Sequence, residues 1–160
     1  MSTDIFVKID GIKGESKGKG HEKEIDVLAW SFGVSQSGSF GQGGGGGSGK
    51  ANVQDLTFTK HIDSASSDLM LATFCGKHIP EVVFTMQKAG ENPLVYMKIT
   101  LTNVIVTNHI TGGTPGEERP TENISLNFEK IKYEYDSQNE KGGKGEHYQM
   151  GWNVSQNTKL

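Results

Sequence analysis

The sequence predicts a mainly β fold: an antiparallel barrel or sandwich of about seven or eight strands, one short flanking α-helix and a long Gly-rich extended loop. Three observations predict it. Apolar residues recur at every second position in most segments, the period of a strand with one buried face. Only one segment carries a helical period. Gly- and Lys-rich loops separate the segments, with no strand–helix–strand alternation of the kind a parallel sheet needs. Long bulged strands can curl and close, which favours the barrel. A chain of 160 residues suits one domain over 1–160.

The first strand is "DIFVKIDGI", with Ile5, Val7 and Ile9 on one face and a stop near Gly11. A loop rich in Lys and Gly follows through Gly20. In "EIDVLAWSFGVSQSG", Leu28, Trp30, Phe32 and Val34 share one face, which should be the core. Ala29, Ser31, Gly33 and Ser35 share the other and are small. A small, uncharged face suits close approach by something else, or is a solvent face with little demand on size. After the glycine run, "NVQDLTFTKHI" alternates Leu56 and Phe58 against Thr57 and Thr59, a further strand.

"DSASSDLMLATFCGKH" changes period. Ser64 or Ser66 can cap, Asp68 complements the first-turn dipole, Leu69, Met70 and Phe74 form the apolar stripe, and Gly76 stops the helix. Cys75 is the only cysteine, expected as a small buried apolar residue on that helix. It permits no intrachain disulfide, as in chains that fold in a reducing compartment.

"IPEVVFTMQKAG" aligns Val82, Phe84 and Met86. "NPLVYMKITLTNVIVTNHI" alternates through Leu101 and then shifts parity to Val104 and Val106, which predicts a bulge near Thr102 to Asn103. "NISLNFEKIKYEYD" shifts likewise between Phe128 and Ile131, predicting a bulge or a change of environment near Glu129 to Lys130. The last strand, "EHYQMGWNVS", has Tyr148, Met150, Trp152 and Val154 in phase.

Composition limits the function. The net charge is -3 and the one arginine is Arg119, so nucleic acid is not an expected partner. No apolar run reaches the length of a membrane helix. "MSTDIFVKID" lacks a basic region followed by an apolar one, so no signal peptide is expected.

Gly44, Gly49 and Lys50 meet the spacing of a phosphate-binding loop. The context refuses it. Ala51 stands where a magnesium-binding hydroxyl belongs, no buried strand precedes, and strand-period residues follow instead of a helix N-terminus. The five histidines share no metal-ligand spacing, and Glu117–Glu118 is a solvated turn rather than a pair facing across a cleft. No catalytic, cofactor-binding or metal residues are therefore expected, and no enzyme activity.

Several segments together resemble one family: "FVKIDGIKGES", "EIDVLAWSFGVSQSG", "GGGGGSGKANVQDLTFTKHIDSAS", "GKHIPE", "TENISLNFEKIKYEY" and "GWNVSQN". In this order they resemble the haemolysin-coregulated protein (Hcp) family, the tube protein of bacterial type VI secretion. The likeness runs from near Met1 to near Leu160. It departs at "YDSQNEKGG", which lacks a proline after the tyrosine, and at Ser67, where proline is frequent. No further domain follows "GWNVSQNTKL", unlike toxin-fused members.

The resemblance implies a barrel subunit that forms hexameric rings, stacked head-to-tail into a hollow tube. A spike protein would tip the tube, a contractile sheath would surround it, and small effector proteins would ride in the lumen. The protein would start in the bacterial cytoplasm and be secreted without a signal peptide. Ala29, Ser31 and Gly33 then become candidate lumen and cargo contacts. Ser39, Phe40, Gly43, Gly44, Gly45, Gly46, Gly47, Ser48 and Lys50 become candidate ring-stacking residues. The competing reading is a small-ligand or carbohydrate-binding β-barrel, favoured if Trp30, Phe32 and Trp152 line an open interior.

Overall fold

A computed structural model describes residues 2–38, 40 and 49–160. The strands are β1 (Thr3–Ile9), β2 (Ile25–Asp26), β3 (Ala29–Ser31), β4 (Val34–Ser35), β5 (Asn52–Val53) and β6 (Leu56–His61). Helix α1 (Ser66–Cys75) follows, then β7 (Ile79–Lys88), β8 (Leu94–Thr111), β9 (Thr121–Gln138), β10 (Lys144–Asn153) and β11 (Thr158–Lys159). Every pairing is antiparallel.

The main sheet runs β11-β10-β9-β8-β7-β1-β2, while β6 pairs with both β9 and β3. β2 and β3 are two parts of one chain segment. Val27 N donates to Ile5 O on one side, and Leu28 N donates to Thr59 O on the other. The sheet therefore curls until its ends meet on this segment. The ladder is interrupted there, so the strands do not form the continuous closed cylinder the sequence led us to expect.

That interruption also corrects the expected core face of 25–35. Ile25 and Val27 are buried, Trp30 and Phe32 are partly buried, and Leu28 and Val34 lie outside at 49% and 60% exposure. The inward parity changes between Val27 and Trp30, where the chain passes from β1 to β6. An uninterrupted strand would have kept one parity throughout.

The interior is filled. Val7, Leu56, Phe58, Phe84, Leu101 and Ile124 are each 0% exposed. Phe58 and Phe84 meet edge-on with ring centres 5.4 Å apart, a geometry worth about 0.5–1.5 kcal/mol beyond burial alone.

The long strands change inward parity together. In β8 the inward side passes from Leu101 to Val104, and in β9 from Ile131 to Phe128. Leu101 faces Ile131 and Val104 faces Phe128, so the two strands stay in step. β7 does the same between Val82 and Ile79, which face Leu101 and Val104. The expected bulge at Thr102 to Asn103 is thus a transverse row crossing three strands, without a slip against β9. Asn103 makes it possible by adopting φ 53°, a left-handed conformation that asparagine tolerates better than most residues. The true slip between β8 and β9 falls between Val106 and Asn108.

Helix α1 departs from expectation at three points. Its N-cap residue is Ala65, without a side-chain cap bond. Ser66 Oγ instead accepts from Asp63 N at 2.9 Å. Phe74 is 84% exposed and Cys75 is exposed, so only Leu69 and Ala72 of the helix are buried. With Ala65 they give a narrow contact stripe that needs neither Phe74 nor a buried thiol. Gly76 ends the helix as expected, at φ 62°.

Candidate functional site

Three surfaces have features that plain packing does not require. The first is the outward face of β3, β6 and β9. Register places Ala29 against Thr59 and Asn123, and Ser31 against Thr57 and Ser125. Thr57 Oγ1 and Ser125 Oγ lie 2.9 Å apart, and Thr59 Oγ1 donates to Asn123 Oδ1 at 2.6 Å. The row between them, Trp30, Phe58 and Ile124, points inward. Ala29 and Ser31 are therefore on the exposed side, as the alternation demands. The face continues into a field of hydroxyls and amides on β6 and β9. The Thr57–Thr59 alternation was visible in the sequence; its register with Asn123 and Ser125 needed the sheet.

Gly33 sits at the edge of this face. Its carbonyl accepts from Gln54 N at 2.9 Å. A Cβ there would come within 2.7 Å of Gln54 Oε1, so even alanine would displace that side chain.

The second surface is an apolar groove of about 370 Å³ between the β4–β5 ribbon and strands β9 and β10. Phe32, Val34 and Val53 form one wall; Tyr133, Met150 and Trp152 form the other. Val34, Met150 and Tyr148 are 60%, 49% and 55% exposed. The phase of Tyr148, Met150 and Trp152 was right: they stand beside Tyr135, Tyr133 and Ile131 on the core-facing side of the sheet, and Tyr148 and Met150 are exposed because the filled interior does not reach that far along β10. Phe32 and Trp152 pack against the edge of the core and line this groove, not an open interior.

The glycine-rich loop leaves from this ribbon. Phe40 is 94% exposed, and Gly49 and Lys50 are also exposed. Ser39, Gly43, Gly44, Gly45, Gly46, Gly47 and Ser48 lie outside the described residues.

The third feature is a buried charge cluster under α1. Lys60 Nζ, fully buried, contacts Asp63 Oδ1 and Glu122 Oε2, each at 2.7 Å. Ser66 Oγ donates to Glu122 Oε2 at 2.6 Å, and His109 Nε2 lies 3.0 Å from Glu122 Oε1. Burial pushes the Glu122 carboxyl up, but hydrogen bonds from Lys60, Ser66 and His109 outweigh it and hold it below the usual range. Each polar group of the cluster except His109 Nδ1 has a partner. The cluster fastens α1 to the sheet; with Lys60 and Glu122 buried at 0% and 1% exposure, it lacks the opening a catalytic centre needs. Among the described residues, no group of three His, Cys, Asp or Glu side chains is placed to hold a metal ion.

Comparison with known proteins identifies the family. The family model for the type VI secretion system effector Hcp matches residues 6–135. The protein hcp1 of Pseudomonas aeruginosa is 52% identical over 159 residues, covering 98% of both chains. A solved type six secretion system protein matches with TM-score 0.93 and 28% identity, over 99% of this chain and all of the other. The crystal structure of Hcp1 from Salmonella typhimurium matches with TM-score 0.82 and 36% identity over the full length of both chains. That family consists of structural, secreted tube proteins and is not an enzyme family. With its curled antiparallel sheet, one flanking helix and full-length likeness, this chain belongs to the Hcp family of type VI secretion tube proteins.

Proposed function

We propose that this tube protein acts as one unit over 1–160, closes into rings of six copies, stacks those rings head-to-tail and carries small effectors inside. The observation that carries the reading is the uncovered apolar groove between the β4–β5 ribbon and β10. A soluble monomer rarely leaves such a surface bare, and a contiguous apolar patch marks an interaction site. A ring uses unlike surfaces of neighbouring copies, so the groove needs a different surface of the next copy against it.

The hydroxyl-lined face with Ala29, Ser31 and Gly33 supports a lumen wall. It lacks lysine along its rows and presents short side chains that leave space for a passenger. The stretch from Ser37 to Asn52, of which Phe40 and Lys50 are described and exposed, is the ring-to-ring contact in this reading. The spike protein, the contractile sheath and small effectors complete the set of partners. The protein is made in the bacterial cytoplasm and is secreted from there. The filled interior argues against a ligand-binding barrel, because the space a ligand would need holds Phe58, Phe84 and Leu101.

Two variants test the assignments. Ser31→Gln is expected to keep rings intact and abolish effector retention; unchanged retention would remove Ser31 from the lumen. Shortening the glycine run is expected to abolish stacked tubes and spare single rings. Tubes of normal length from that variant would rule out the stacking role.

A further inference from the structure

Helix α1 is apolar on two sides. Leu69 and Ala72 face the core. Leu71 and Phe74 stand one turn apart on another side, at 63% and 84% exposure, with Cys75 exposed beside them. They are the most exposed large apolar side chains on any helix or strand of the described residues. The helix reads SSDLMLATFC, so its polar residues are Ser66, Ser67, Asp68 and Thr73. Two of these are already engaged: Ser66 Oγ donates to Glu122, and Thr73 Oγ1 donates to the Leu69 carbonyl at 2.7 Å. A surface helix turns a polar face to water, whereas one that is apolar around most of its circumference has a partner on its second side.

The ridge is also held rigidly. Lys60, Asp63 and Glu122 fasten its first turn to the sheet, and Gly76 closes its last. Docking a preorganised ridge costs little conformational freedom. Phe40 is as bare, but it belongs to a glycine-rich stretch whose ordering costs more. The groove between the β4–β5 ribbon and β10 is the converse of the ridge: concave, and lined throughout by apolar and aromatic residues. A head-to-tail ring pairs unlike surfaces of neighbouring copies. We infer that the Leu71–Phe74 ridge of one copy seats in this groove on its neighbour within the ring. The inference rests on the ring assembly proposed above and names the surface that meets the groove.

The test uses the full chain and its own thiol. Cys75 is the only cysteine, so Met150→Cys adds one partner thiol in the groove wall. Treated with a short bismaleimide, this variant is expected to give a ladder of linked chains up to six on a denaturing gel. Met150→Cys combined with Cys75→Ser is expected to give none. Phe74→Ser is expected to raise the concentration at which rings form by at least about tenfold, as withdrawing one buried phenyl ring does. Its separated chains should keep the wild-type unfolding midpoint, because Phe74 touches little of its own chain. Absence of the ladder in a protein that runs as a ring overturns the inference and leaves the ring reading standing. Rings from Phe74→Ser at the wild-type concentration also overturn it, since the ridge would then be free for some other partner. A wild-type protein that stays a single chain contradicts the ring reading and the inference together, so the two failures are separable.

Discussion

Lys60 and Glu122 show how single residues decide what this fold tolerates. The pair meets at 2.7 Å with 0% and 1% exposure, so each charge depends on the other. Removing one partner of a buried pair leaves a stranded charge, at about 3–5 kcal/mol. Glu122→Gln is expected to destabilise by about 3 kcal/mol at neutral pH, read from chemical denaturation. The pH dependence has a definite sign. Because the folded state holds Glu122 below its usual value of 4.5, its contribution is complete above that value. It is lost as pH falls through the lower folded value. Wild type should therefore weaken in acid below that point more steeply than Glu122→Gln; parallel pH profiles would contradict the cluster's role. None of this was legible in the sequence. Lys60 occupies the inward parity of "LTFTKHI" beside Phe58, but its partners Asp63, Ser66 and Glu122 come from the turn before α1, from α1 and from β9, which only the folded chain brings together.

At the scale of elements, the transverse row through β7, β8 and β9 is the most informative feature. Two parity shifts were readable separately, at Leu101/Val104 and Phe128/Ile131. Their meaning was not, because a shift in one strand reads as a bulge until its neighbour is known to shift with it. Asn103 at φ 53° is the residue that allows the row. Asn103→Gly is expected to change stability little, since glycine adopts that conformation freely. Asn103→Val is expected to lose about 1–2 kcal/mol, the penalty for a left-handed β-branched residue. Equal urea midpoints for the two variants would show that the backbone conformation is not needed. The broken segment at 25–35 was illegible for a related reason. Its alternation of large and small residues is continuous, but its hydrogen bonds change partner at Val27 and Leu28. A strand that turns a corner between two neighbours must change its inward parity. Trp30 and Phe32 kept the side the alternation indicated, and Leu28 and Val34 did not. The order of the strands, the single helix and its Gly76 stop were all readable from local period and turn chemistry.

At the scale of the whole molecule, the two exposed surfaces divide the labour. The rows of Ala29, Ser31, Thr57 and Ser125 are polar, short and self-satisfied, so they gain little from protein–protein burial. The groove of Phe32, Val34, Met150 and Trp152 is the reverse, with apolar area that water penalises at about 25 cal/mol per Å². The sequence placed small residues opposite large ones on the Ala29–Val34 segment, and that asymmetry was legible. That Tyr148 and Met150 would stay exposed on the core-facing side of β10 was not, because a strand reaching past the filled interior has the same period as one fully covered by it. A lysine at Met150 puts a charge in the groove wall without touching the filled interior. Native mass measurement on the wild-type protein and Met150→Lys tests the central claim of ring assembly most directly. Wild type is predicted to run at about six times the 17.4 kDa chain mass and Met150→Lys near one chain mass, because a charge in an apolar contact opposes closure. A wild-type protein that runs as a single chain at all concentrations would contradict the account.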